Sequence, residues 1–225
     1  MISAMIQARM GSTRLPGKVL MPILDKPMIE LMIERVKKSK KQEKIILLTS
    51  NSSKDDEIAQ YCAQNSILCY RGDENNVLKR YYEAAKKFKV STIVRLTGDN
   101  PLIDFNIIDM ALEIFEKNKY DFVSNTVPMP STFPDGMDVE VFSFENLKKA
   151  YNNAKLPSEK EHVTFYFWKT GLFNCYKFNY KHDYSSYRLT IDYPEDFEVV
   201  KMIFENLYNI NKNFDIEDII NFLKN

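Results

Sequence analysis

The sequence opens on an apolar run, Ile2 to Ile6, that leads directly into Gln7–Leu20, reading QARMGSTRLPGKVL. This junction constrains the fold more than any other stretch. A run this short and this apolar reads as a buried strand. The segment after it gathers two glycines (Gly11, Gly17), two hydroxyls (Ser12, Thr13) and three cations (Arg9, Arg14, Lys18) around Pro16. α/β proteins place anionic ligands where a buried strand ends in such a loop, because free backbone N–H groups and nearby cations meet phosphate oxygens there. Two common phosphate signatures are absent. Lys18 is followed by Val19 rather than Ser or Thr, and no G-x-G-x-x-G occurs. The loop therefore implies a phosphate without saying which one.

The rest of the first half alternates strand-like and helix-like segments. Lys44–Thr49, Ile67–Tyr70, Thr92–Leu96 and Asp121–Ser124 read as short buried strands. Pro27–Lys38, Asp55–Gln64, Asn76–Phe88 and Asp104–Asn118 carry apolar residues at helical spacing. This β-α order predicts a mainly parallel sheet with helices on both faces. The second half is less regular. Pro128, Pro130 and Pro134 interrupt it, and Met137–Phe144 alternates like an antiparallel or edge strand. Glu145–Asn153 and Ser158–Trp168 are expected as helices, and Phe173–Phe178 and Tyr187–Ile191 as strands. Pro194–Tyr208 and Asp215–Leu223 are expected as closing helices, with Asp215 as an N-cap. The expectation is one α/β domain over 1–225, with antiparallel additions and a small lobe or dimer arm within 125–180.

Composition narrows the function. Equal counts of basic and acidic residues, 31 each, give a formal net charge of zero, which argues against a nucleic-acid partner. The cations of the first loop are thus a local feature. Three cysteines (Cys62, Cys69, Cys175) have no metal-ligand spacing and suit a reduced, cytoplasmic protein. No apolar run approaches the roughly 20 residues that span a bilayer, so no membrane partner is expected.

Two further stretches carry chemistry. In RLTGDNPLID a strand ends at Thr97, Gly98 turns, and Asp99 is thrust out at the strand's C-terminal end. A carboxylate there, facing a phosphate loop, suits Mg²⁺, which takes one or two carboxylates plus phosphate oxygens. Asp104 reads as the N-cap of the following helix. In RLTIDYPEDF another strand ends in Asp192, while Glu195 and Asp196 fall in the first turn of a helix opened by Pro194. Two strand-end aspartates and a basic loop describe metal-assisted phosphoryl or nucleotidyl transfer. No Ser-His-Asp or Cys-His set is legible, and His162 and His182 are too few for a histidine metal site.

Six stretches in order, QARMGSTRLPGK, RGDENNVLKRYYEAA, RLTGDNPLID, FPDGMDVEVFSFENL, EHVTFYFW and RLTIDYPEDF, resemble the cytidylyltransferases of the spore-coat polysaccharide SpsF type, relatives of the CMP-Kdo and CMP-sialic acid synthetases. The resemblance runs from Ile2 to about Phe204. It implies a three-layer α/β/α nucleotide-diphospho-sugar transferase (glycosyltransferase-A-like) fold, transfer of CMP from CTP to a 2-keto sugar acid, Mg²⁺ as cofactor and a homodimer. Arg9, Gly11, Ser12, Arg14 and Lys18 match its phosphate-binding positions, with Arg14 and Lys18 on the β- and γ-phosphates. Ala8 and the Arg71-Gly72-Asp73 turn would face the base through backbone groups. Asp99 and Asp192 match the metal aspartates. Arg188 or Arg95 could meet the acceptor's carboxylate, and each could equally be a structural ion-pair partner. Asp135 and His162 are further acceptor-site candidates. Phe165 stands where related sequences often have proline. Met137–Phe144 and Phe165–Trp168 are the candidate dimer surface, or else core. A glycosyltransferase or sugar-1-phosphate nucleotidyltransferase on the same fold, and a non-catalytic nucleotide-binding module, are the alternatives.

Overall fold

The computed structural model describes residues 1–225. A single seven-stranded sheet organises it, built from β1 (Ile2–Gln7), β4 (Lys44–Ser50), β5 (Leu68–Gly72), β6 (Thr92–Thr97), β7 (Phe122–Ser124), β8 (Glu140–Ser143) and β9 (Cys175–Lys177). The strand order is β5-β4-β1-β6-β8-β7-β9. Neighbours among β5, β4, β1 and β6 run parallel, β8 is antiparallel to both β6 and β7, and β9 is parallel to β7. Two two-residue strands, β2 (Pro22–Ile23) and β3 (Lys26–Pro27), form a separate small hairpin.

The central strands are apolar on both faces, as a sheet covered by helices on both sides requires. On β1, Ala4 and Ile6 enter one core cluster and Met5 the other, and all three are fully buried. The larger cluster takes up α1 (Met28–Val36), α2 (Asp56–Gln64), α4 (Phe105–Lys117), α8 (Pro194–Leu207) and α9 (Ile216–Lys224). The smaller takes up α3 (Val77–Phe88), α5 (Phe144–Asn153) and α7 (Phe165–Lys169). These three layers are the α/β/α arrangement expected from the alternating pattern. Caps match the sequence as well. Asp104 accepts from Asn106 N–H at 2.8 Å and reaches across to Ile216 N–H at 2.9 Å, so one carboxylate serves the starts of α4 and α9. Asp215 caps α9 through Asp218 N–H.

Three expectations change. Met137–Phe144 contributes only β8, antiparallel as one of its two readings had it, but inside the sheet and not at an edge. Met137, Val139, Val141 and Phe142 are fully buried, so this stretch fills core and offers no docking surface. Ser158–Trp168 is two short helices, α6 (Pro157–Glu161) and α7, broken at Val163, whose φ is 52°. The break buries Val163 completely and lets Thr164 Oγ1 donate to Glu140 at 2.9 Å. Tyr187–Ile191 forms no ladder; its one β-type contact is an isolated bridge, Arg188 to Asp135, outside the sheet. Its backbone donors instead go to Asp135 O and Asp99 O.

Candidate active site

The ends of β1 and β6 define the site. Gln7 pairs with Thr97 in register, and Gly98 N–H donates to Gln7 O at 2.8 Å. A Cβ on Gly98 would stand 2.9 Å from both the Ala8 Cβ and Gln7 O, so only glycine lets the two strand ends approach this closely. Asp99, the next residue, is thereby presented beside the first loop. That loop folds over Met10, whose carbonyl accepts from Ser12 and Gly17 N–H. Gly17 adopts φ 73° and opens a helical turn, Lys18–Leu20, that carries Lys18 inward. Met10 N–H is held at 2.7 Å by Asp55 Oδ1, and Asp55 Oδ2 takes the Ser50 N–H and hydroxyl.

Lys18 is the meeting point. Its ammonium lies 3.3 Å from Asp99 Oδ2 and 3.2 Å from Asp192 Oδ1, and it donates to the Ile191 carbonyl. Its side chain is 9% exposed. A charge so enclosed needs partners, and these three oxygens match its three donors. Asp192 also pairs with Arg14 at 2.9 Å and Arg188 at 3.0 Å. Burial pushes the Asp192 carboxyl up, but Lys18, Arg188 and Arg14 outweigh it and hold it below the usual carboxylate range. Arg14 lies over the Tyr193 ring at 4.7 Å, so the loop's outer cation clasps the residue after Asp192.

A cavity of about 900 Å³ opens in front of this cluster. Ala8, Arg9, Ser12, Arg14, Lys18, Asp73, Asp99 and Asp192 line it, together with Arg95 and His162. Gly11, Arg71 and Gly72 do not. The Arg71 side chain is turned to Ser50 O, Ser52 O and Asp56, at 2.9, 2.8 and 2.7 Å, because it braces the end of β4. Gly72 O is taken by Asn51 N–H. Gly11 is exposed, and a Cβ there would meet nothing within 4 Å. A second cavity of about 280 Å³ adjoins the first and shares Arg95, Thr97, Asp99 and His162 with it. Asp135, Asp138, Glu140, Phe165 and Trp168 complete much of its wall. His162 stacks on Phe165, with centroids 4.4 Å apart.

The two arginines expected at an acceptor carboxylate are both engaged. Arg188 pairs with Asp135 at 2.6 Å and with Asp192 and Asp196, and lines neither cavity. Arg95 forms an enclosed ion pair with Glu140. Asp135 keeps one oxygen on Arg188, yet burial and neighbouring Asp138 push its carboxyl up.

Sequence reasoning missed Arg80 and Asp55. Arg80, 2% exposed, donates to Asp73 O and Glu74 O and so shapes the 73–76 turn of the larger cavity from beneath. An arginine among the apolar positions of a helix was its available signal. Asp55 ties the first loop to β4; in sequence it is indistinguishable from a helix-start aspartate.

Asp99 and Asp192 converge on a point that a cation already occupies, the Lys18 ammonium. Two carboxylate oxygens on the wall of the larger cavity are a donor set that suits a hard divalent ion completing its shell with further oxygens. No group of three or more His, Cys, Asp or Glu side chains forms a self-sufficient metal site.

A parallel sheet whose strand ends present a cationic loop to a large polar cavity defines a nucleotide-handling α/β transferase. The chain matches the pattern of the cytidylyltransferase family over residues 3–218. It is 32% identical to the spore coat polysaccharide biosynthesis protein SpsF of Bacillus subtilis, across 89% of this chain and 85% of that one. It is 30% identical to the 3-deoxy-manno-octulosonate cytidylyltransferase of Francisella philomiragia, across 78% and 77%. A cytidylyltransferase structure from Leptospira borgpetersenii superimposes with a TM-score of 0.92 at 38% identity, covering 99% of this chain and 93% of that one. The chain belongs to the cytidylyltransferase family, and is a CTP-dependent nucleotidyltransferase. No helix is long and apolar enough to cross a membrane.

Proposed function

We propose that the protein transfers CMP from CTP to a hydroxyl of a 2-keto sugar acid, releasing pyrophosphate, in the assembly of a surface glycan. The observation that carries this reading is the Lys18–Asp99–Asp192 cluster on the wall of the larger cavity, whose Asp99 also lines the smaller one. CTP lies in the larger cavity with its phosphates on Arg9, Ser12, Arg14 and Lys18. The acceptor lies in the smaller one, so its hydroxyl and the α-phosphorus meet beside Asp99.

The hydroxyl oxygen attacks the α-phosphorus, its proton passes to solvent, and the bond to the β-phosphate oxygen breaks in line to release pyrophosphate. Little covalent work falls to the protein; positioning and charge neutralisation supply the rate. Arg14 and Lys18 stabilise the charge that builds on the leaving pyrophosphate. For this Lys18 exchanges its carboxylate partners for phosphate oxygens. Asp99 and Asp192 would hold Mg²⁺, which when bound neutralises phosphate charge and polarises the attacked phosphorus.

Several relatives' names point to a sugar acid, and the cationic loop fits a free triphosphate better than a sugar-bound diphosphate. The test is pyrophosphate release, crossing four nucleoside triphosphates with a panel of ulosonic acids and sugar 1-phosphates in Mg²⁺. Release is expected only for CTP with a sugar acid. Release with a sugar 1-phosphate, or none with any acid, overturns the reading.

A further inference from the structure

We infer that the Thr97 hydroxyl is a catalytic hydrogen-bond donor to a non-bridging oxygen of the α-phosphate, set in that role by Asn100 and Asp138. The inference rests on the proposed placement of CTP and acceptor in the two cavities, which puts the attacked phosphorus where they adjoin.

Thr97 ends β6 and lines both cavities. Its carbonyl accepts from Asn100 N–H at 3.1 Å, so Gly98 and Asp99 form the tip of a tight turn. The buried Asn100 side chain folds back within this turn. Its Nδ2 lies 2.9 Å from Thr97 Oγ1 and 3.1 Å from Asp138 Oδ2. Asp138 Oδ2 also takes Gly136 N–H at 3.3 Å, which ties the set to the segment before β8.

The polarity of these contacts follows from their chemistry. An ionised carboxylate only accepts, so the Asn100 amide turns its nitrogen, not its oxygen, to Asp138. That nitrogen has two hydrogens. One goes to Asp138 and the other to Thr97 Oγ1, which therefore accepts and keeps its own proton. Thr97 Oγ1 makes no other hydrogen bond within the chain. Arg95 and His162 line both cavities as well, but neither holds a hydroxyl whose sense is fixed in this way.

Two kinds of oxygen meet at this wall in the proposed reaction. The attacking hydroxyl oxygen needs its lone pair for phosphorus, and a donor on it would slow the attack. The α-phosphoryl oxygens only accept, and the transition state spreads its charge over them. A fixed donor aimed there lowers the barrier.

Thr97→Val keeps the shape and removes the hydroxyl; Thr97→Ser keeps the hydroxyl. With whichever acceptor is turned over, kcat of Thr97→Val should fall about 10- to 100-fold, the worth of one hydrogen bond to a charged group, with the KM for CTP within about twofold. Thr97→Ser should recover most of the loss. Sulfur accepts hydrogen bonds poorly, so the two diastereomers of CTP with sulfur on the α-phosphorus identify the oxygen. One should slow the wild type and cost Thr97→Val little more; with the other, the ratio of variant to wild type should match that for CTP. Asn100→Leu should lower kcat in the wild type and leave Thr97→Val nearly unchanged, whereas a merely structural asparagine would add its own loss and overturn its positioning role. An unchanged kcat in Thr97→Val, no recovery in Thr97→Ser, or one ratio for CTP and both thio-nucleotides overturns the inference while leaving the activity intact. Where the wild type does not use both thio-nucleotides, the comparison of Val with Ser on CTP decides alone. Turnover of a sugar 1-phosphate overturns the proposed acceptor but leaves this test standing. Absence of pyrophosphate release with every acceptor overturns both.

Discussion

The ammonium of Lys18 stands 3.2 Å from the Asp192 carboxylate, across 174 positions of sequence. The same ammonium lies 3.3 Å from Asp99, so a loop after the first strand and the ends of two later segments share one charge. In the free protein this cation sits where a divalent ion would be held in the proposed reaction. In that reaction ion and lysine would compete for the same oxygens until a triphosphate took the ammonium away.

This competition predicts the behaviour of Lys18→Met. Without the ammonium, Asp99 and Asp192 repel each other and lack their nearest counter-charge. Mn²⁺, measured by electron paramagnetic resonance without nucleotide, should bind the variant about tenfold tighter than the wild type, a difference of about 1.4 kcal/mol. Turnover of CTP should fall by about 10²-fold, since the leaving group loses a charge partner. Equal Mn²⁺ affinity in the two proteins would show that Lys18 does not guard these oxygens.

Asp99→Ala addresses the opposite partner. If Asp99 holds the ion during transfer, kcat should fall by at least about 10²-fold, the usual size of one electrostatic contribution. Ion dependence should weaken with it, read as the Mg²⁺ concentration giving half-maximal rate. Near-wild-type turnover would remove Asp99 from the reaction.

Asp55 makes a stability prediction with a defined pH sense. Burial raises its carboxyl, but the Ser50 hydroxyl and the Met10 and Ser50 N–H groups outweigh that and hold it below its ordinary value. A depressed carboxyl contributes stability that is complete above the unfolded value near pH ~4 and is lost as pH falls through the folded value. Asp55→Ala strands three donors and should cost about 3 kcal/mol in urea unfolding at pH 7. The wild-type advantage over the variant should shrink below pH ~4. A constant difference from pH 7 down to pH 3 would rule the charge out as its source.

The parts of the molecule readable in sequence are those set by local pattern. Apolar runs placed β1, β4 and β6, and the glycine before Asp99 announced a strand-end turn. Capping chemistry identified Asp104 and Asp215. What escaped depends on partners distant in sequence. Nothing near Arg71 in sequence reveals that its side chain pairs with Asp56 and the Ser50 and Ser52 carbonyls. The hairpin of β2 and β3 turns through Leu24 and Asp25, with φ of 52° and 60°, without the glycine or asparagine that normally marks such a turn. Met137–Phe144 read as an antiparallel or an edge strand, and only the first holds, because alternation tells the period of a strand and not its place in a sheet. The break at Val163 is fixed by burial of that side chain and by Thr164 reaching Glu140, neither of which has a local cue.

Gly98→Ala tests how tightly the two strand ends must close. A methyl at 2.9 Å from Ala8 Cβ and Gln7 O forces β1 and β6 apart at the point where Asp99 leaves the sheet. Overpacking of this kind costs about 1–3 kcal/mol, so the variant should still fold, with a lowered urea midpoint. Activity should suffer more than stability, because a displacement near 1 Å at Asp99 misplaces a group whose worth depends on position. A variant with lowered stability and unchanged kcat would mean that Asp99 tolerates the shift.

The Arg95–Glu140 pair decides whether Arg95 serves the acceptor as a cation or serves the fold. Its side chains are 13% and 6% exposed, and Thr164 donates to the second Glu140 oxygen. Glu140→Ala leaves an enclosed guanidinium without its counter-charge and should cost about 3–5 kcal/mol in urea unfolding. Arg95→Met alone should cost a comparable amount by stranding Glu140. The double variant Arg95→Met with Glu140→Leu removes both charges, and should recover much of the loss because the pair's attraction is offset by its desolvation. If Arg95 were instead the acceptor's free cation, Arg95→Met would raise the KM for the sugar acid with little effect on stability. The two outcomes separate on one pair of measurements, the urea midpoint and the acceptor KM. The contact with Glu140 predicts that the midpoint moves first.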